Sequence, residues 1–203
     1  MDLAIINETN GQHSIFIHLP NFVKQNYLKQ LNEITNWKYG EYQNQDVDRV
    51  QQFFHIHGEP FCKSWKKITK RWKSMEYYPW LLELQKNLEK ELDQTLEPLY
   101  ESYGLRPINF QSALINKYRT GKDFIPPHYD TTENENPTIV SLSFGETREF
   151  VVKRIVFGQE IEKIYKLKHG DVFIMGGLSQ TNYTHEILPD VSITQPRYNI
   201  TFR

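Results

Sequence analysis

Only one cysteine, Cys62, stands among 203 residues, so no disulfide can close within the chain and a reducing compartment suits it. Long apolar runs are missing as well, and nothing approaches the roughly 20 consecutive apolar residues that a membrane helix needs. The opening residues MDLAIINETN place no basic stretch ahead of an apolar one, so no secretory leader is expected. Neither sign of charge is in excess. The 24 Lys and Arg against 25 Asp and Glu give a formal net charge of −1, which excludes a global field toward nucleic acid or membrane. Any such partner must be met by a local patch. Internal repeats and low-complexity linkers are also lacking. What is present, 38% hydrophobic and 14% aromatic residues, describes a folded chain. It is expected to be a soluble, intracellular monomer with one compact domain.

Helical periodicity dominates up to about residue 106, and a period near two dominates from 107 to 203. Asn21 is positioned to cap a helix over Phe22–Ile34, with Leu28, Leu31 and Ile34 on one face. Trp37–Phe61 reads as short strands or a hairpin closing on Gly58-Glu59-Pro60. Ser64–Met75 reads as a short helix. Pro79 opens another, which repeats leucine at 81, 84, 88, 92, 96 and 99 and ends at Gly104. Strand-forming runs follow at Ile108–Tyr118, Thr138–Phe144, Arg148–Arg154, Ile161–Leu167, Val172–Met175 and Arg197–Phe202, with glycines between several of them. Many short strands with glycine-containing turns predict a sandwich or barrel, with the helices ahead of them packed on one outer face.

His128 and Asp130 are two residues apart, so on extended backbone they point to one side. A histidine and a carboxylate so placed supply two of the three ligands of a facial triad suited to non-haem iron(II). A surface turn after Pro126-Pro127 would give the same pattern, and His-x-Asp alone is weak. For a third ligand, His169 lies in the tight turn Lys168-His169-Gly170-Asp171, where solvent is the expected environment. His185 lies at a strand edge and is the better candidate.

The last seven residues strengthen the case. Arg197, Asn199, Thr201 and Arg203 share one strand face, and Tyr198, Ile200 and Phe202 share the other. An ordinary half-buried strand would turn the polar set to water. Yet two arginines whose Cα atoms lie about 20 Å apart, at roughly 3.3 Å per residue, can lean inward and clamp the two ends of a dicarboxylate such as 2-oxoglutarate. Guanidinium suits this role, because it binds carboxylate bidentately and stays charged when partly buried. Asn116 and Tyr118 share a face of an earlier run and offer neutral donors to the same ligand.

With these residues assembled, the chain resembles the AlkB family of nucleic-acid dealkylases from about Asn109 to Arg203. The likeness rests on Asn116-x-Tyr118, His128-x-Asp130, Ser141-Leu142-Ser143-Phe144-Gly145, Arg148-Glu149-Phe150, His169-Gly170-Asp171 and the closing Arg-Tyr-Asn-Ile-Thr-Phe-Arg. It implies a mainly β, α+β fold: a double-stranded β-helix (jelly roll) over 107–203, buttressed by a helical and lid-forming segment over 1–106. It implies iron(II) on His128, Asp130 and His185, with 2-oxoglutarate and dioxygen as co-substrates. Arg197 would pair with the distal carboxylate of 2-oxoglutarate, helped by Tyr118 and Asn199. Arg203 and Asn116 would lie near the carboxylate that chelates iron, with Thr201 on the same face. The implied reaction is oxidative demethylation of N-alkylated bases in DNA or RNA, releasing formaldehyde, succinate and carbon dioxide. Other readings are a 2-oxoglutarate-dependent hydroxylase of a protein or small molecule, and a non-catalytic jelly-roll module that binds nucleic acid.

Family members often place an acid beside or two positions after the metal-binding aspartate. Thr131 and Thr132 stand there, and Glu133 is the first acid, which leaves the base open. Substrate contacts are expected from Arg49, Gln51, Phe53, Phe54, Thr132 and Glu133. A basic patch of Lys63, Lys66, Lys67, Lys70, Arg71 and Lys73 is expected to meet the phosphate backbone, although a solvated helix face would look the same. No membrane partner is expected.

Overall fold

A computed structural model describes residues 1–8, 11–42, 45–58, 73–130 and 137–203. Its strands are β1 (Asp2–Asn7), β2 (His13–Leu19), β3 (Lys38–Tyr42), β4 (Gln45–His55), β5 (Ser112–Tyr118), β6 (Ile125–His128), β7 (Ile139–Gly145), β8 (Arg148–Val156), β9 (Gln159–Leu167), β10 (Val172–Gly177), β11 (Thr184–Ile187) and β12 (Arg197–Phe202). Its helices are α1 (Leu28–Glu33), α2 (Pro79–Tyr103) and α3 (Ser179–Asn182). Eight strands form one sheet in the order β1-β2-β10-β7-β12-β5-β4-β3, and four form a second in the order β6-β11-β8-β9. From β5 onward the chain distributes its strands between the two sheets in antiparallel pairs, the jelly-roll arrangement. Among the described residues no helix is long and apolar enough to cross a membrane.

The leucine repeat forms as expected. Pro79 occupies the first turn of α2, where its missing N–H costs nothing, and the helix stops at Gly104 with φ +65°. Leu81, Leu84, Leu88, Leu92, Leu96 and Leu99 are all buried against the large sheet, meeting Ile115, Leu142, Ile200 and Phe202 in one cluster. Six leucines at about 2 kcal/mol of transfer each make this face a principal source of cohesion. Beyond the helix, Gln85 Nε2 donates to the Phe110 carbonyl at 2.8 Å and Glu89 Oε1 accepts from the Phe110 N–H at 2.9 Å, tying the lead-in of β5 to α2.

A second cluster lies between the sheets. Phe150, Phe173, Tyr165, Leu167 and Tyr118 fill it, so the large sheet is covered on both faces. That explains why β12 is buried at every position although it alternates: its apolar set packs under α2 and its polar set faces the space between the sheets.

Three expectations change. The helix expected over Phe22–Ile34 is confined to Leu28–Glu33. Asn21 instead adopts φ +48°, and its N–H donates to Asp171 Oδ1 at 2.8 Å. The first 106 residues are less helical than their periodicity predicts, because β1 to β4 extend the large sheet on both sides of the β5–β12 set. The helix expected over Ser64–Met75 lies outside the described residues, save for its last three. Ile125–His128 is not among the expected strand runs, and a surface turn after Pro126-Pro127 is the alternative to the extended backbone expected for His128-x-Asp130. The segment is the edge strand β6, where prolines are tolerated, and only Ile125 and His128 register against β11.

Candidate metal centre

Strand pairing brings His128 and His185 together. The two are direct register partners across β6 and β11, with ring centroids 4.3 Å apart. Asp130 follows β6 and faces both: His128 Nε2 lies 3.8 Å from Asp130 Oδ1, and His185 Nε2 lies 3.8 Å from Oδ2. One ligand atom from each of the three falls within 4.8 Å of the others, a spacing that can hold a metal ion.

The surroundings prepare these groups as ligands. His128 Nδ1 is 2.9 Å from the Pro126 carbonyl, which can only accept, so the proton sits on Nδ1 and the Nε2 lone pair faces the cluster. Burial, then the neighbouring His185, pushes His128 down to about 3. Burial lowers His185 as well, and its ring stacks on Phe150 at 5.3 Å. Burial alone would raise Asp130, but Arg203 and the two histidines outweigh it and hold the carboxyl below its usual range. Arg203 Nη2 reaches Asp130 Oδ1 at 2.7 Å. The Asp130 backbone N–H donates to Gln180 Oε1 at 2.8 Å. Gln180 sits on α3, just after β10, and its amide also touches Met175 Sδ at 3.3 Å, so the large sheet holds the turn that carries Asp130.

Beside the cluster, the inward face of the large sheet is polar. One register row runs Gln51, Asn116, Asn199, Ser143 across β4, β5, β12 and β7, and another pairs Tyr118 with Arg197. Arg197 is 1% exposed. It donates to Ser143 Oγ at 2.9 Å and lies 5.3 Å from the Tyr118 ring centroid, while its Nε and Nη1 have no hydrogen-bond partner among the described residues. Burial lowers it to about 10. Asn199 Nδ2 donates to Ser141 Oγ at 2.6 Å and to the Leu142 carbonyl at 3.1 Å, and Thr201 Oγ1 donates to Asn199 Oδ1 at 2.9 Å. A buried guanidinium with two unmet donors and no carboxylate at hand among the described residues is a poor structural element and suits an anion.

Arg49 and Gln51 join this face. Arg49 Nε donates to Asn116 Oδ1 at 3.0 Å and its Nη2 to Gln51 Oε1 at 3.2 Å, and Nη1 is left over. Phe53 shares their strand face by alternation. Phe54 points the other way, into the helix-side core against Tyr77 and Tyr78, so it is not gathered with the rest. Thr131, Thr132 and Glu133 lie outside the described residues, as does the basic patch apart from Lys73. His169 stays away from the cluster, where its Nδ1 accepts from the Gly145 N–H at 3.2 Å.

Two contributors escaped the sequence reading. Gln180 had no motif to mark it. Arg148 appeared only at the head of a strand-forming run and within a resemblance, yet it is 2% exposed and organises the wall beside Tyr118, 5.6 Å from that ring. Its Nη1 reaches the Thr120 carbonyl at 3.4 Å, and its Nη2 reaches those of Asp123 at 2.9 Å, Gly121 at 3.5 Å and Leu188. A cation heading a strand-forming run just after the glycine-containing turn at Gly145 was the available hint.

A jelly roll with a His-Asp-His cluster beside an unsatisfied buried arginine defines a class, the iron oxygenases that take a dicarboxylate co-substrate. The family model of the 2OG-Fe(II) oxygenase superfamily matches residues 16–203, and the chain belongs to that superfamily as an AlkB-like member. The mouse "Alpha-ketoglutarate-dependent dioxygenase alkB homolog 3" is 36% identical over 103 residues, which cover 46% of this chain and 36% of that protein. The Arabidopsis thaliana "DNA oxidative demethylase ALKBH2" is 27% identical over 135 residues, covering 55% of this chain and 42% of that one. Matched segments thus span about two fifths of these relatives. The solved structure of OsALKBH1 overlays with a TM-score of 0.66 at 16% identity, covering 98% of this chain and 99% of that one, a likeness of fold. Iron(II), 2-oxoglutarate and dioxygen come with the superfamily, and the ligand cluster together with the unmet donors of Arg197 fits the first two.

Proposed function

We propose that the chain oxidatively demethylates N-alkylated bases in DNA or RNA, releasing formaldehyde, succinate and carbon dioxide. The observation that carries this is the pairing of the His128-Asp130-His185 cluster with Arg197, a buried cation that lacks an anion. The names of the AlkB-type relatives add the nucleic-acid substrate.

In this reading His128, Asp130 and His185 hold iron(II). Arg197 and Tyr118 take the distal carboxylate of 2-oxoglutarate, with Asn199 and Thr201 setting the polar row behind it. Arg203 and Asn116 lie nearer the metal, where Arg203 also keeps Asp130 ionised. Bound together, iron(II), 2-oxoglutarate and dioxygen supply an oxidant able to hydroxylate an N-alkyl carbon. The chain's own task is to orient that carbon and to exclude water. A stacked base cannot reach a pocket between two sheets, so it is flipped out or presented by a single strand. Arg49, Gln51, Phe53, Thr132 and Glu133 are the groups assigned to the base, and Lys63, Lys66, Lys67, Lys70, Arg71 and Lys73 to phosphate.

Anaerobic titration with iron(II) and 2-oxoglutarate should give a visible charge-transfer band that His128→Ala abolishes. Methylated single- and double-stranded DNA and RNA oligonucleotides should then be compared for formaldehyde release. Succinate accumulating with no formaldehyde from any of them would overturn the nucleic-acid assignment and leave the oxygenase.

A further inference from the structure

The hairpin between β8 and β9 ends in a residue that is expensive twice over. Phe157 is 104% exposed, and Ile155 at 73% and Ile161 at 54% lie behind it on opposite faces of the hairpin. Val156 pairs with Gln159, so Phe157-Gly158 is a two-residue turn, and both residues have positive φ, +49° and +78°. That is the type I′ geometry, which favours Asn-Gly and disfavours a bulky side chain at its first central position. Turn chemistry and hydration both argue against phenylalanine, which points to a use for the ring.

Its place indicates the use. β6 and β8 flank β11 and both run antiparallel to it, so the chain leaves His128 for Asp130 in the direction in which β8 runs out to its tip. Val152 registers opposite His185, and Phe157 is five residues further on, about 16 Å at roughly 3.3 Å per residue. The tip therefore stands on the rim of the metal-bearing end. Three apolar side chains split between the tip and the two faces of the hairpin make no shared patch, and are far below the roughly 20 residues a side that a stable protein interface needs. One aromatic ring is enough to stack on a base. The nearby cations are already committed: Lys153 pairs with Glu186 at 2.8 Å and Arg154 with Glu8 at 2.8 Å.

We propose that Phe157 is a base-stacking finger, which packs against a nucleobase of the substrate several nucleotides from the one being demethylated. This rests on the nucleic-acid reading of the site. It adds a contact of a different kind from the basic patch, because it touches a base and no phosphate.

The test measures binding of a fluorescein-labelled oligonucleotide carrying one methylated adenine to the iron-loaded protein, as a function of salt. Phe157→Asn, which creates the favoured Asn-Gly turn, should leave the melting temperature equal or higher. It should weaken binding about tenfold without changing the slope of affinity against salt. Phe157→Trp should bind as the parent does. 2-Aminopurine placed at successive positions should report a change at one site with the parent and none with Phe157→Asn. Unchanged affinity for the asparagine variant, or an altered salt slope, overturns the finger while the nucleic-acid reading stands. If the parent binds no oligonucleotide, both fall. If sedimentation shows a parent dimer that the asparagine variant loses, a second copy covers the tip and the proposal fails.

Discussion

Replacing Arg197 with methionine should stabilise the ligand-free protein while destroying its response to 2-oxoglutarate. The guanidinium is fully enclosed, carries one good hydrogen bond, to Ser143, and leaves Nε and Nη1 without partners. Burial, together with the nearby Arg148, brings it down to about 10. Relative to the usual guanidinium value, that corresponds to about 3 kcal/mol of disfavoured charge, fully present at any pH below about 10. Methionine keeps an unbranched, flexible apolar stem without the charge. Its gain is reduced by about 1 kcal/mol for the Ser143 hydroxyl it strands, leaving about 2 kcal/mol, or roughly 4–8 °C for a chain of this size. The parent, in contrast, should gain about 2.7 kcal/mol from 2-oxoglutarate at a hundred times its dissociation constant. Thermal melting with manganese(II) in place of iron, with and without 2-oxoglutarate, reads both effects at once. A methionine variant that still shifts with 2-oxoglutarate, or whose ligand-free form melts well below the parent, would refute the assignment of Arg197 as the anion receptor.

The pH dependence of the metal-free protein follows from the histidines. Folded His128 protonates only near 3 and His185 is lowered too, whereas unfolded imidazoles protonate at about 6.5. The unfolded chain thus binds more protons below about 6.5, and stability should fall with pH by roughly 1.4 kcal/mol per pH unit per histidine. His128→Gln should flatten the melting temperature between about pH 6.5 and 4, and an unchanged slope would count against the burial argument. Gln180→Ala should weaken iron(II) binding about tenfold, read from the charge-transfer band, and Gln180→Glu, which keeps the acceptor for the Asp130 N–H, should recover most of it. Equal iron affinity in the alanine variant would show that the turn needs no such tether. Arg148→Ala strands the carbonyls of Thr120, Gly121, Asp123 and Leu188 and should cost about 3 kcal/mol or more. Urea unfolding measures it, and a loss below about 1 kcal/mol would contradict that role.

How far the sequence could be read depends on the distance over which each signal acts. The α2 leucines were visible because a one-sided helix leaves its other face polar. The alternation of β12 was visible too, and the structure turns its polar face to the space between the sheets. β1 and β2 were hidden: β2 lies between β1 and β10 and is buried nearly throughout, so it shows no polar alternation, and its apolar run is short. β6 was hidden by its prolines. Gln180 and Arg148 act through backbone atoms 50 and up to 40 residues away, and no local pattern records such partners.

The buried arginines separate by what they meet, and the separation is chemical. Arg148 spends both terminal nitrogens on carbonyl oxygens from two segments, leaving only Nε unmet among the described residues, and is explained by the wall it builds. Arg203 has Asp130. Arg197, with two nitrogens unmet, and Arg49, with Nη1 unmet, share the polar face of the large sheet with Asn116 and Tyr118; among the described residues Arg197 has no carboxylate to neutralise it, and Arg49 feels only the field of Asp130. A stable fold alone has no need of such groups, since burying an uncompensated cation costs several kcal/mol. Their presence beside a well-packed cluster makes ligand-free stability and anion affinity opposing quantities at the same positions. Variants of Arg197 should therefore trade one for the other, whereas variants of Arg148 should lose both together.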